Sequence, residues 1–526
     1  MSEKEPMRAE QKSNVKNSIG RLGVTGISII IQVLWIIFLF IRLNRYSTAI
    51  SLFSSILALI VVLHIYGRRS NAAFKMPWII LILAFPVAGL CIYGIFGNAN
   101  STRKMRDKFA ELDRELEPLN PQNPEVMTSL EQEDYAIANE FRYVRDYGKY
   151  PVYRNTDIQF YDDAAKGLEA QLAELQKAEK FIFMEYHAIE EAEAFERIKT
   201  VLAERAAAGV DVRLFYDDVG SIGFINTDFI RRMEAVGVKC RVFNPVIPIL
   251  NVFMNNRDHR KITVIDGKVG FTGGYNLANE YFNLTHPYGH WKDTGIRLEG
   301  DAVRSLTVMF LEMWKAMEHR GKQVQLIPDD YRQFLEIPGY HSKENGYVQP
   351  YADSPLDDEY LGESVYLNLI KGAAHSFYAA TPYLIISDEM TRELGLAAKR
   401  GVDVRIITPG IPDKKIIYKV TRSYYAGLVR QGVRIYEYTP GFIHAKQTVA
   451  DDRIATIGTI NFDYRSLYHH FENGVLMYDV EAVHGIHKDF EALFDVCEEV
   501  TEKYRTGRSV ALRIGQCILR LFAPLL

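Results

Sequence analysis

The chain has 526 residues, 48% of them hydrophobic and 24% charged, with a formal net charge of −4. That length calls for more than one globular unit, the composition excludes a disordered chain, and the charge argues against a protein that coats nucleic acid. Cys91, Cys240, Cys497 and Cys517 have no paired spacing, which excludes a disulfide scaffold or a zinc module.

Residues 1–21 read as a basic N-terminal tail. Across 22–102 come three uncharged stretches, Leu22 to Ile41, Tyr46 to Gly67, and Met76 to Thr102. The first two are each about twenty residues of mostly Ile, Leu, Val and Phe, the length that crosses a bilayer core. Pro86, Gly89, Gly94 and Gly97 interrupt the third. Lysine and arginine favour the cytoplasmic side. Two spans and a third segment that dips in and returns leave only Arg42 and Arg45 outside, with Lys4, Arg8, Arg68, Arg69, Lys75 and Arg103 inside. Three full spans would nearly balance the two sides. The expectation is therefore a multi-pass protein of the cell membrane, its third segment re-entrant or spanning, with the rest of the chain cytoplasmic.

Residues 103–145 are expected as a linker carrying a charged helix, Ser101 to Glu117, which Asn120-Pro-Gln-Asn-Pro124 closes. Beyond it the chain repeats itself. Gly209-Val-Asp-Val-Arg213 recurs as Gly401-Val-Asp-Val-Arg405, each a glycine stop after a helix followed by a β-branched strand. A strand precedes each copy, and another helix and strand follow. This alternation predicts an α/β fold: two tandem α/β/α sandwich repeats, 146–330 and 331–508, forming a pseudo-dimer within one chain.

Each repeat delivers the same residues. The first has His259-Arg-Lys261 and Asp266, then Gly273-Gly274-Tyr-Asn276. The second has His444-Ala-Lys446 and Asp451, then Gly458-Thr459-Ile-Asn461. His341-Ser-Lys343 lacks the aspartate and the glycine turn, and reads as a solvated loop. In a strand, residues two apart share a face, so each His–Lys pair points one way. Asp266 and Asp451 complete the motifs and are counted with the catalytic set. They lie about 23 Å beyond the histidine along an extended strand, however, which suits shaping the hairpin turn. The return strand brings Gly274 and Asn276, or Thr459 and Asn461, back beside the histidine. Ammonium charge, amides and bare backbone N–H groups there describe a phosphate site. One histidine attacks phosphorus while the other protonates the leaving oxygen. Two lysines stabilise the equatorial oxygens, so no metal or other cofactor is expected. Asp293 and Glu472 are the candidates for fixing the histidine tautomers.

These motifs resemble the phospholipase D superfamily, and within it the bacterial cardiolipin synthases, from about Arg68 to the C-terminus. Lys75-Met-Pro-Trp, Trp291-Lys-Asp-Thr, Arg297-Leu-Glu-Gly300, Thr381-Pro-Tyr383, Arg465-Ser466 and Phe471-Glu472 carry the closer likeness. The resemblance implies transfer of a phosphatidyl group between two phosphatidylglycerols, giving cardiolipin and glycerol through a phosphatidyl-histidine. It implies His259 as the nucleophile, His444 as acid then base, and the orienting roles of Asp293 and Glu472. Gly274, where the pattern has a hydroxyl residue, is a departure. Hydrolysis by a phospholipase D, synthesis of another phospholipid, and a non-catalytic membrane scaffold are the alternatives. Membrane lipids are the expected partners, with neither nucleic acid nor an obligatory protein partner.

Residues 509–526 form an amphipathic tail. Val510, Ile514, Cys517, Ile518, Leu521, Phe522 and Leu525 make one helical stripe, with Arg513 and Arg520 opposite. The stripe either packs on the second repeat or lies in the bilayer interface.

Overall fold

The computed structural model describes residues 48–68, 71–97, 103–246, 256–318, 329–336 and 339–505, with isolated positions between 23 and 38 and between 515 and 523. The N-terminal tail, part of Leu22 to Ile41 and most of the C-terminal tail lie outside the described residues.

Two sheets carry the repeats, and their strand orders correspond. The first runs from edge to edge as Thr156–Tyr161, Gly295–Gly300, Val269–Gly273, Lys261–Ile265, Phe181–Tyr186, Asp211–Asp217 and Lys239–Phe243. The second runs as Tyr347–Asp353, His470–Tyr478, Ile454–Gly458, Gln447–Ala450, Ser376–Ala380, Asp403–Pro409, Arg434–Tyr438 and Cys497–Glu499. In each, a central strand, Phe181–Tyr186 or Ser376–Ala380, begins a run of three parallel strands on one side. The strands on its other side, out to the one that opens the repeat, pair antiparallel. These strands are buried on both faces, so their sequences are nearly continuous apolar runs.

Among the described residues the core of the two repeats lies in three bodies. One fills the space between the two sheets, from Phe183, Ile262, Val264 and Leu298 to Val449, Val475, Met477 and Phe490. The other two lie beneath the outer helices of each repeat. Two short strand pairs stitch the repeats together. Arg257–Asp258 pairs in parallel with His470–Phe471, and Gly441–Ile443 pairs in parallel with His290–Lys292. Each brings the residues just before one motif histidine against a strand of the opposite repeat.

The segment expected as a linker is part of this body. In the helix Arg103–Leu116, Phe109, Leu112 and Leu116 are buried in the central core, each worth roughly 1.5–3 kcal/mol of apolar burial. The helices Pro124–Glu133 and Tyr135–Gly148 pack on the second repeat through Met127, Leu130, Phe141 and Val144. Charge on the outer faces disguised the apolar stripe.

Near the N-terminal end the structure gives bounds for α1 (Thr48–Gly67), α2 (Ala72–Ala84) and α3 (Pro86–Phe96). Pro86 cannot continue a helix through its own amide, and the chain turns at Phe85. Trp78 and Tyr93 then meet at a ring separation of 5.3 Å, so α2 and α3 fold back as a hairpin. Gly89 permits the close approach: a Cβ there would lie 2.6 Å from the Ile82 Cα. Phe74 stands edge-on to Tyr464, Tyr468 and His469 at 5.0–5.5 Å, tying α2 to the second repeat. Leu52, Phe53, Ile56, Leu59, Ile60 and Leu63 of α1 are exposed. Side chains in α1 are described from Leu52 onward, and among the described residues no helix is long and apolar enough to cross a membrane.

Of the C-terminal tail, Leu519 and Ala523 join the core of the second repeat. Arg520 donates to the Ser423 hydroxyl and carbonyl, at 3.2 and 2.6 Å, and stacks 4.1 Å from the Tyr424 ring. These positions take the packed reading.

Candidate active site

His259 and Lys261 flank the start of one central strand, and His444 and Lys446 flank the start of its counterpart. Alternation along the strand points Arg260 the other way, buried toward Glu312 at 3.5 Å. The parallel stitches set the histidine backbones: His259 N–H donates to the Phe471 carbonyl at 2.8 Å, and His444 N–H to the Lys292 carbonyl at 2.7 Å.

The side chains follow the same exchange. His259 Nδ1 is 2.9 Å from Glu472 Oε2, and His444 Nδ1 is 2.6 Å from Asp293 Oδ2. Each imidazole is therefore oriented by a carboxylate of the other repeat. A carboxylate accepts only from an Nδ1–H, which leaves the Nε2 lone pair available for attack or proton exchange. Lys261 and Lys446 curl back to the carbonyls of their own histidines, and Lys446 Nζ lies 2.8 Å from His444 Nε2.

Burial governs the charges. It pushes both imidazoles well below the ordinary histidine range, reinforced by the charges of Lys261 and Lys446. Both histidines are thus neutral and nucleophilic at rest. Burial also lowers Lys261 to about 8 and Lys446 to about 7, against the pull of Glu472 and Asp293 respectively. The Asp293 carboxyl rises to about 7 through burial, opposed first by Lys446.

The expected phosphate contacts divide. Thr459 donates its hydroxyl to Glu472, so it holds the carboxylate that orients His259. Gly274, the departure from pattern, has the matching task in the other half: a Cβ there would lie 2.0 Å from Asp293 Oδ1. Its missing side chain makes room for that carboxylate, which takes the Thr294 N–H at 2.9 Å. Asn276 accepts from the Ala188 N–H at 3.1 Å and donates to the Tyr281 hydroxyl at 2.8 Å. Asn461 bonds Asp463, and its Oδ1 is buried without a hydrogen-bond partner.

Asp266 and Asp451 stand apart from the chemistry. Asp266 accepts the backbone N–H groups of Glu179, Lys180 and Phe181 at 2.8, 2.7 and 2.8 Å. Asp451 accepts those of Ala374, His375 and Ser376 at the same three distances. Both sit at the far end of the motif strand with φ of 52° and 55°, in hairpin turns. They anchor the strand and do not touch the histidines, which corrects their place in the catalytic set.

Several neighbours were missed. His187 and His470 flank His259, with ring centroids at 4.9 and 5.5 Å. Tyr281, Trp291 and Phe442 flank His444 at 5.3, 5.3 and 5.9 Å. His470 and Trp291 each lie two residues before an orienting carboxylate in extended chain, a spacing that puts them on its face. Among the described residues, His259, His470 and Glu472 form a group whose ligand atoms lie within 4.8 Å of one another. That spacing could admit a metal ion and was not foreseen. Glu472 already serves His259 and Thr459 there, and the ammonium groups oppose a cation.

Paired histidines, each held by the other repeat's carboxylate and attended by lysines, form a residue set suited to phosphodiester transfer. Residues 172–314 and 366–494 match the family described as cardiolipin synthase, PLD-like domain, and residues 55–98 match the phospholipase D-nuclease N-terminal family. The chain belongs to the cardiolipin synthase family. It is 34% identical to a cardiolipin synthase of Geobacillus kaustophilus, over 90% of this chain and 92% of that one. A cardiolipin synthase 2 of Bacillus cereus is 33% identical over 88% of each chain. An uncharacterised protein of Streptococcus mutans is 38% identical over 88% of this chain and 99% of its own. A phosphatidylserine synthase structure from Haemophilus influenzae shares the fold, with a TM-score of 0.54 and 15% identity, covering 73% of this chain and 97% of that one.

Proposed function

We infer that the protein is a cardiolipin synthase, transferring a phosphatidyl group from one phosphatidylglycerol to another with release of glycerol. The observation that carries the reading is the reciprocal exchange of carboxylates, which holds the proton of each imidazole on Nδ1 and leaves each Nε2 unprotonated. His259 Nε2 attacks the donor phosphorus, and the bond to the glycerol oxygen breaks as His444 gives that oxygen a proton. The bound phosphodiester anion favours the proton on His444 beforehand. Lys261 and Lys446 neutralise the equatorial oxygens as charge builds on them. Glycerol leaves, and an acceptor hydroxyl gives its proton to His444, attacks phosphorus and breaks the phosphorus–nitrogen bond. In this reading Asn276 and Asn461 support the phosphate pocket through their bonds to Tyr281 and Asp463.

The same reading makes the N-terminal helices a membrane anchor, with the repeats on the cytoplasmic face of the cell membrane. Exposed apolar side chains cover α1, a surface suited to lipid rather than water. Helices α2 and α3, with 13 and 11 residues, reach only about 20 and 16 Å. Neither crosses a core of about 30 Å, which supports a re-entrant hairpin.

The test is to give the purified full-length protein phosphatidylglycerol in mixed micelles and identify the products by mass. Cardiolipin and glycerol in equal amounts support transfer. Phosphatidic acid would instead indicate hydrolysis, and no product would indicate a scaffold.

A further inference from the structure

The pseudo-symmetric site has one asymmetry of charge at its mouth. In the second repeat, the connection from strand Asp403–Pro409 to helix Lys415–Val429 reads Gly410-Ile-Pro-Asp-Lys414 and continues into Lys415. The matching connection of the first repeat, Asp218 to Asp228, contains no lysine or arginine, and Arg231 and Arg232 of the helix that follows are paired with Asp228 and Glu191.

This connection is fixed beside His444. The Ile411 N–H donates to the Gly441 carbonyl at 3.0 Å, three residues before the histidine. The Tyr383 hydroxyl donates to Asp413 at 2.5 Å, and Lys414 Nζ lies 5.4 Å from the Tyr383 ring centroid and 3.9 Å from the Asp413 carboxylate. Tyr383 in turn lies 6.4 Å from Phe442, and Phe442 lies 5.9 Å from His444. The Lys414 side chain is 65% exposed, yet its charge is among those that hold both catalytic imidazoles down. Ile411 and Ile416, on either side, are exposed as well.

In-line displacement gives this placement a meaning. With phosphorus bonded to His259, the acceptor hydroxyl enters from the opposite face, where His444 takes its proton. An acceptor phosphatidylglycerol brings a second phosphodiester, a three-carbon backbone away from that hydroxyl, on the same side. Water and free glycerol bring none. We propose that Lys414 binds the phosphodiester of the acceptor lipid and so selects an anionic phospholipid over water or glycerol. The step is balanced: the acceptor oxygen bonds phosphorus, its proton passes to His444, and the phosphorus–nitrogen bond to His259 breaks. The proposal rests on the phosphatidyl-transfer reading above.

The test uses the full-length enzyme in mixed micelles of phosphatidylglycerol with labelled glycerol. Cardiolipin formation reports the anionic acceptor, and label exchanged into phosphatidylglycerol reports the neutral one. Lys414→Ala is expected to lower the ratio of cardiolipin to exchange about tenfold, with more phosphatidic acid, and Lys414→Arg to restore most of it. Lys415→Ala, outside the Tyr383 contact, is expected to leave the ratio unchanged. An unchanged ratio in Lys414→Ala, or an equal fall in Lys414→Ala and Lys415→Ala, would overturn the assignment. If the unmodified enzyme exchanges glycerol but makes no cardiolipin, the cardiolipin synthase reading itself fails.

Discussion

Asp293 of the first repeat lies 2.6 Å from the Nδ1 of His444 in the second, and Glu472 of the second repays the contact to His259 of the first at 2.9 Å. Neither repeat therefore owns a complete histidine. Asp293→Asn and Glu472→Gln should each lower kcat by roughly 10²–10⁴-fold with the fold intact, because the wrong tautomer is then favoured. Steady-state kinetics beside a thermal melt would check this. Full activity in either variant would remove the orienting role.

Gly274 is expected to tolerate no side chain. In Gly274→Ala the new Cβ would meet the Asp293 carboxylate, so the variant should lose about as much activity as Asp293→Asn while melting near the unmodified protein. Thr459→Ala removes the hydroxyl that donates to Glu472 and accepts the Asn473 N–H at 2.9 Å, and should cost less, about tenfold. A fully active Gly274→Ala would show that Asp293 has another resting place.

Asp266 and Asp451 should report on stability and not on chemistry. Each carboxylate holds three backbone N–H groups, so replacing either with alanine should cost roughly 2–4 kcal/mol in denaturant unfolding. The protein that remains folded should keep a kcat near normal. A large loss of kcat without loss of stability would return these residues to the catalytic set.

The pH profile should fall on its basic side early. Burial lowers Lys261 to about 8 and Lys446 to about 7, so both are ammonium below that range and lose their charge as pH rises through it. The free enzyme then meets a phosphodiester with less positive charge, and kcat/KM declines between about pH 7 and 8. In the complex the substrate anion supports the ammonium form, which moves the limb in kcat to higher pH. A kcat/KM flat to about pH 9.5 would place both lysines in the ordinary range.

The tandem repeats and the chemistry of His259, Lys261, His444 and Lys446 were legible in the sequence because strand alternation fixes which residues share a face. The exchange between repeats was not. Arg257–Asp258 and His290–Lys292 are strands of two and three residues, too short for any periodicity. The orienting carboxylates were therefore only candidates for the partner each imidazole needs, their roles implied by family resemblance, and His470 was passed over beside one of them. In Arg103–Leu116 the surface charges outnumbered the buried Phe109, Leu112 and Leu116, so a packed helix read as a linker. Arg520 looked poised for headgroups, yet it is spent on Ser423 and Tyr424, partners remote in the chain.

The most direct test of the two-step mechanism is a search for the covalent intermediate in His444→Ala. Without His444 as acid and then base the enzyme should form the phosphatidyl-enzyme slowly and discharge it more slowly still, so that it accumulates over a long incubation. Intact-mass and peptide spectra after incubation with phosphatidylglycerol should show one phosphatidyl group per chain, on His259, and none in His259→Ala. An adduct on His444 in His259→Ala would reverse the roles of the two histidines. If neither variant carries an adduct while the unmodified enzyme turns over, direct transfer between lipids would replace the phosphatidyl-histidine.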